Sequence, residues 1–462
     1  MIESLRNIWN MNDLRKRILF TLGILAVYRV GAFIPTPGIN TEALREIFDR
    51  SRGTVLGFLD LFSGGNFGNF TIFALGITPY ITASIILQLM TVVWPYLERL
   101  SKEGELGRKK ITQYTRYLTV ILSLVQSFGI ASFLQGMPAE GGTQVVLNPG
   151  FGFVFMTMLT QTTGTAFIMW LGERITERGI GNGMSLIIFA GIVSGLPSAG
   201  HEIFTRLVQQ QWSPLFVMVL LSIMVVVVGF IVLVERAQRR IPVQYAKRVV
   251  GRRVMGGQST HLPLKVNVGG VIPVIFASSI LTFPQTFGLM FEDSRFFRSL
   301  TEALGFGEPL YNLLYVTFII FFCYFYTSIV FNPTEVAGNM RKYGGFIPGI
   351  RPGRATAEYI ETILTRITFA GAIYLAMIAV IPEFMITGFH INNLPWVGGY
   401  FEGLPNWILN GMGVQFYFGG TSLLIVVGVA MDTVQQIEAQ LVMRHYDGFL
   451  GPRGRRIRGR RA

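Results

Sequence analysis

Charge is segregated along this chain, and that most constrains what it can fold into. Ten stretches, at 18–34, 72–94, 117–134, 151–171, 180–196, 215–234, 268–290, 313–331, 367–386 and 416–431, hold almost no Asp, Glu, Lys or Arg. A run of ~20 apolar residues crosses the ~30 Å hydrocarbon core of a bilayer as a helix. Hydrophobic types make up 51% of the 462 residues and charged types 14%, well below the roughly 25% charged residues of a soluble domain. The expected fold class is therefore an all-α polytopic membrane protein. The fifth and tenth stretches are short, and the ninth reaches length only by including Pro382 and Glu383, which points to tilt or local thinning of the bilayer. The first stretch lacks a small-residue cleavage pattern and further spans follow it, so it reads as a span and not a leader.

The formal net charge is +13. Such a balance fits nucleic-acid binding or positively charged cytoplasmic loops. With the N-terminus cytoplasmic, 32 of the 39 basic residues fall on the cytoplasmic side of a ten-span topology. Only Arg45, Arg50, Arg52, Arg206, Arg295 and Arg298 lie opposite, and Arg29 snorkels from the outer end of the first span. This is the positive-inside pattern, and one missed span would invert every later loop. Both termini are expected in the cytoplasm. The expected parts are a cytoplasmic segment 1–17, a first half 18–196, a second half 215–431 and a basic tail 432–462. An odd number of spans per half inverts one half relative to the other.

Segment 55–70, VLGFLDLFSGGNFGNF, fits no span. It is short, carries Asp60 and breaks at Gly64, Gly65 and Gly68. It is either a re-entrant piece buried in protein or a helix lying on the outer surface. Ionisable groups inside the spans are few, whereas pumps and proton relays need them there. The histidines, His201, His261, His390 and His445, are scattered over loops, and the single cysteine, Cys323, lies in an apolar run. No metal site or disulfide framework is expected. Gly179-Ile-Gly181-Asn-Gly183 opens a span instead of following a strand, so it reads as a turn with close backbone packing and not a phosphate cradle. Without a Walker motif or a cluster of nucleophile and base, neither an enzyme nor a cofactor is expected.

Two loops carry more than scattered charge. Loop 235–265 holds eight basic residues and one acidic, and IPVQYAKRVV alternates as a β-hairpin would. Loop 332–366 contains GGFIPGIRPGRAT, a Pro/Gly turn presenting Arg351 and Arg354. Ordinary positive-inside charge would account for both. Ordered basic loops would also dock a large anionic partner, such as ribosomal RNA or an acidic protein face.

At these residues the chain resembles the bacterial SecY family, the channel subunit of the general protein translocase. The motifs are FIPTPGIN (33–40), FSGG (62–65), FALGITPYITASIILQL (73–89), ITQYTRY (111–117), ITERGIGNGMSLIIFAGIV (175–193), GRRVMGGQSTHLPLKVNVGGVIPVIFASS (251–279), NPTEVAGNMRKYGGFIPGIRPG (332–353) and YFGGTSLLIVVGVAMD (417–432). The resemblance implies two pseudo-symmetric five-helix halves around an hourglass pore in the bacterial plasma membrane. Its constriction would be Ile77, Ile81, Met184, Ile188, Ile275 and Ile425, with Met184 in place of the usual isoleucine. Both Ile77/Ile81 and Met184/Ile188 are i, i+4 pairs and share a helix face. An apolar, deformable ring suits a passing polypeptide and excludes ions by dewetting.

The same resemblance makes 55–70 the plug, with Leu59, Asp60, Phe62, Ser63, Gly64 and Gly65 at its centre. A lateral gate between the second/third and seventh/eighth spans would include Gln88, Ser278 and Ser279, able to bond weakly across a seam. Arg252, Arg253, Arg351 and Arg354 would dock the ribosome or the SecA ATPase motor. Implied partners are SecE, SecG, substrates bearing signal sequences, and membrane lipids. The Arg-rich tail after Pro452 is either a contact for RNA or anionic lipid or a solubilising end. Two other classes compete. An inverted-repeat transporter of a small solute needs a polar midplane site, and an intramembrane enzyme needs a catalytic dyad within spans; the spans supply almost no such groups.

Overall fold

The computed structural model describes residues 11–50, 60, 63–136, 144–245, 248–250, 253–255, 259–290, 295–305, 307–387 and 420–449. Each of the ten apolar stretches overlaps a helix over its described residues. These are α1 (Asn12–Gly31), α3 (Thr78–Val93), α5 (Glu105–Gly136), α6 (Phe151–Arg178), α7 (Gly183–Ser194), α9 (Pro214–Arg236), α10 (Ile272–Met290), α12 (Pro309–Val330), α14 (Arg354–Thr387) and α15 (Gly420–Phe449). Shorter helices lie between them: α2 (Thr41–Arg50), α4 (Pro95–Lys102), α8 (Leu196–Val208), α11 (Arg295–Ala303) and α13 (Pro333–Lys342). Among the described residues, six helical stretches are long and apolar enough to cross a membrane, or seven if the bent pair α3–α4 is one span.

Local chemistry sets the boundaries. Ser213 and Asn332 cap α9 and α13 with their side chains, and Pro214 and Pro333 follow at the first helical position. Pro95 forces Trp94 into extended backbone, and the chain turns through 99° into the amphipathic α4. Stretch 72–94 is not helical from its start, contrary to the sequence reading. Residues 72–77 form turns, with Gly76 at φ 56°, and the helix begins at Thr78. The cause lies in α6, described below.

Helices α1, α3, α5, α6 and α7 pack chiefly among themselves, as do α9, α12, α14 and α15, while α10 is shared between the two groups. The two groups meet where α10 lies against α3 and α5 and where α15 lies against α7. A large apolar cluster fills the space between them and draws residues from both. A second cluster gathers Leu44, Phe48, Phe67, Phe70, Ile130, Leu134 and Phe153.

The strand pattern expected in loop 235–265 is present. Strands β1 (Gln238–Tyr245) and β4 (Ser259–Lys265) pair antiparallel, and β2 (Arg248–Val250) pairs with β3 (Arg253–Met255). The other loop adds β5 (Gly345–Phe346) to β1, giving the order β4-β1-β5. Ile241, Val243 and Leu264 pack with Met340, Ile347 and Ile360 beneath it. Two basic loops about a hundred residues apart in sequence thus share one small core.

Candidate functional site

The six apolar residues singled out in the sequence come from α7, α10, α15 and the start of α3. Ile77, Ile188, Ile275 and Ile425 are buried members of one cluster, and Ile81 and Met184 pack against it. Ile77 occupies the N-cap of α3, and its carbonyl accepts the Ile81 N–H at 3.0 Å. Met184 sits at the edge of this set. A Cβ on Gly172 of α6 would lie 2.5 Å from its Sδ, so the thioether fills a notch over that glycine. The adjacent backbones are closer still, because a Cβ on Gly183 would meet the Gly172 carbonyl oxygen at 1.8 Å. This is the close packing expected of Gly179–Gly183.

Helix α6 explains why residues 72–77 unwind. The Gln161 side chain is buried and donates through Nε2 to Thr36 Oγ1 and to the Thr71 carbonyl, both at 2.8 Å. Its Oε1 accepts from the Leu75 N–H at 3.4 Å. One turn along, Gly164 leaves room for the Ile72 carbonyl, which a Cβ would approach to 1.9 Å. A buried backbone without helical partners must find others, and here an amide side chain supplies them. Gln161 therefore fixes the backbone that carries Ile77. A glutamine inside an apolar span was the one visible signal, and the sequence reading passed it over because glutamine carries no charge.

The described part of segment 55–70 is a set of turns docked against α1 and α7. Gly64 and Gly65 adopt φ of 72° and 81°. The Asp60 carbonyl accepts from Gly65 N–H and Ser63 Oγ, each at 2.9 Å, and its carboxylate accepts from Gly68 N–H at 2.6 Å. Asn66, 1% exposed, donates to the Ser63 carbonyl at 2.6 Å and to Tyr28 Oη at 3.1 Å. Gly64 lies so near α7 that its Cβ would stand 2.6 Å from Gly191 Cα. Arg45 of α2 donates to Asn69, and the Phe48 and Phe67 rings meet edge-on at 5.4 Å. Leu59 and Phe62 lie outside the described residues. Tyr28, Asn66 and Gly191 were not foreseen, since each acquires its role only through contact across the fold.

Gln88 of α3 is half-buried, and its Nε2 donates to Ser84 Oγ of the same helix at 3.4 Å. Its Oε1 is buried with no hydrogen-bond partner among the described residues. Ser278 and Ser279 are buried on α10, yet both hydroxyls donate to the Ile275 carbonyl, at 2.9 and 2.7 Å. Among the described residues, neither hydroxyl donates across the seam. A helical serine satisfies itself on the preceding turn when no better acceptor is offered.

Arg252 lies outside the described residues, and Arg253 opens β3. Arg351 is exposed beside the turn closed by Ile350 N–H to Ile347 O, and Arg354 begins α14 with a 2.9 Å ion pair to Glu358. At such exposure that pair contributes little stability.

Helices converging on one apolar centre, with a turn-rich segment seated beside it, define a polytopic membrane protein, and its relatives put it in the protein-conducting channel class. The SecY family pattern matches residues 71–434. The Protein translocase subunit SecY of Escherichia coli K12 is 50% identical over 446 residues, covering 95% of this chain and 94% of that protein. Its counterpart in Aquifex aeolicus is 45% identical over 451 residues, covering 97% and 100%. A solved structure described as a protein conducting channel superimposes with a TM-score of 0.63 at 17% identity, covering 93% of each chain. Sec61 in the canine ribosome-channel complex gives 0.59 at 16%, again with 93% of each covered. The chain belongs to the SecY family and is a multi-pass subunit of a protein-translocating channel.

Proposed function

We propose that unfolded polypeptides pass through the collar formed by Ile77, Ile81, Met184, Ile188, Ile275 and Ile425. The observation carrying this is the meeting of all six, from four separate helices, in one apolar cluster. Charged groups there would hold the substrate or admit ions, whereas branched apolar side chains yield to a chain and close behind it. Segment 55–70 acts as the plug; in one solved relative matched at 93% coverage, the plug domain of the SecY protein is described as stabilising the closed state and maintaining a membrane seal. Segments bound for the membrane leave sideways between α3/α5 and α10/α12. The two halves, 18–196 and 215–431, part along that seam, with Gln88, Ser278 and Ser279 at its polar positions.

The two basic loops, through Arg252, Arg253, Arg351 and Arg354, dock a ribosome or the SecA motor on the cytoplasmic side of a bacterial plasma membrane. Structural relatives have been seen bound to ribosomes, and the positive-inside count supports the orientation. SecE and SecG complete the unit, and the chain performs no chemistry of its own. Deleting 57–68 and measuring conductance in planar bilayers tests the reading. Ion-conducting pores are expected. A silent chain that instead shows solute-coupled uptake would support a small-solute transporter.

A further inference from the structure

We infer that Glu235, Lys265 and Asn267 are positioning residues that couple the basic sheet to the pore collar. The inference rests on the docking and collar roles proposed above. Strand β1 leaves α9 just after Glu235, and β4 ends at Lys265, seven residues before α10 begins. The Val266 N–H closes the base of the sheet on the Ala237 carbonyl at 3.0 Å. Asn267 then donates through Nδ2 to Glu235 Oε1 at 2.7 Å and to the Gly270 carbonyl at 3.0 Å. Both side chains are buried, at 5% and 7% exposure. A buried carboxylate needs such a partner, so this joint resists bending. Ile275 follows within the first turn of α10.

The second link runs to α15. The Lys265 ammonium donates to Gln435 Oε1 at 2.7 Å and lies 3.8 Å from Asp432 Oδ1. Asp432 stands seven residues beyond Ile425, so two helical turns, roughly 10 Å, separate the link from the collar on one helix face. The joint has little slack, because a Cβ on Gly428 would lie 2.5 Å from Val271 Cγ1 at the entry to α10. One turn beyond Asp432, Gln436 Oε1 accepts the Gly181 N–H at 2.9 Å. That bond reaches the loop leading into α7, which carries Met184 and Ile188. A cavity of about 140 Å³ lies among these groups, lined in part by Asn182, Ser185, Asn267 and Asp432. A tilt of the sheet therefore moves α10 and α15 together and bears on the Gly181–Gln436 contact. Packed elements of this kind shift between discrete arrangements instead of deforming smoothly.

The test uses the full chain, purified with its co-purifying subunits and placed in planar bilayers, with purified ribosomes as the probe. Lys265→Met keeps the aliphatic stem and removes the ammonium. Gln435→Leu removes the acceptor from the α15 side, away from the sheet. Lys265→Arg is the conservative rescue. Three quantities are read: idle conductance without ribosomes, ribosome affinity, and the conductance change on docking. Both disabling variants are expected to raise idle conductance about fivefold, the effect of one partly exposed hydrogen bond. They should leave ribosome affinity within twofold and lose most of the docking response, with Lys265→Arg restoring both conductance readings. Unchanged idle conductance and an unchanged response in Gln435→Leu would overturn the coupling. Loss of affinity in Lys265→Met, with Gln435→Leu normal throughout, would overturn it too and assign Lys265 to docking alone. If the unaltered channel binds no ribosome, the docking role fails, and the idle conductance of Gln435→Leu alone decides the coupling.

Discussion

The seat of the plug on α7 yields a graded prediction from three glycines. Gly64→Ala meets two obstacles. Its φ of 72° is a left-handed conformation, which costs an L-residue ~1–2 kcal/mol. Its Cβ would also stand 2.6 Å from Gly191 Cα, about 1 Å inside an ordinary carbon contact, and a gap opened to relieve this forfeits up to half of the local dispersion energy. Together these weaken the seat by ~2 kcal/mol, or about 30-fold in the fraction of unseated plug. Gly65→Ala isolates the backbone contribution, because its φ is 81° but nothing lies within 4 Å of the added carbon. Gly191→Ala approaches the same contact from the other side. Its Cβ would be 3.5 Å from Gly64 Cα and 3.6 Å from Tyr28 Oη, which is ordinary packing. Ion conductance of the idle channel in planar bilayers should therefore rank Gly64→Ala above Gly65→Ala, with Gly191→Ala close to the unaltered protein. A Gly64→Ala channel that seals normally, or a Gly191→Ala channel that leaks as much, would refute the close seating.

Three further outcomes are expected. Tyr28→Phe removes one buried hydrogen bond from Asn66, which keeps the Ser63 carbonyl, so idle conductance should rise about fivefold while thermal stability measured in detergent barely changes. Gln161→Leu orphans the Leu75 N–H and leaves the Thr71 carbonyl only the Ala74 N–H and the Thr36 hydroxyl; it should destabilise the fold by about 1–3 kcal/mol, seen as a lower Tm, and Gln161→Glu should not restore it because an ionised carboxylate cannot donate to the Thr71 carbonyl. Arg351→Glu reverses an exposed charge next to the shared sheet, so SecA-driven translocation into vesicles should fall severely while the subunits still co-purify, and normal transport would count against docking there.

The membrane-spanning class was legible early because two simple physical rules act on the sequence directly, whereas the channel came only from the family resemblance. Hydrocarbon admits long apolar helices, and basic loops stay on one side, so ten spans and their order follow from composition along the chain. The collar candidates came from the resemblance, and periodicity added only that Ile77/Ile81 and Met184/Ile188 each share a helix face. Ser278 and Ser279 mark what periodicity leaves open. A hydroxyl in a helix can bond outward or to its own preceding turn, and both carry the same sequence signature; the structure has both on Ile275 O. The start of α3 is misread for a related reason. Residues 72–77 are as apolar as the helix that follows, and only the approach of Gln161 and Gly164 from a helix some ninety residues away unwinds them.

The sequence by itself determined that this protein lives in a bilayer, which segments cross it, and where its basic loops and its breaks fall. These depend on transfer free energy, a property each segment carries wherever it is placed. Tertiary structure alone decided that Gly64 rests on Gly191, that Asn66 meets Tyr28, and that two distant basic loops join through β1 and β5. Those contacts are short-ranged and directional, so they come into being only when the helices have packed and brought their partners within hydrogen-bond or van der Waals distance.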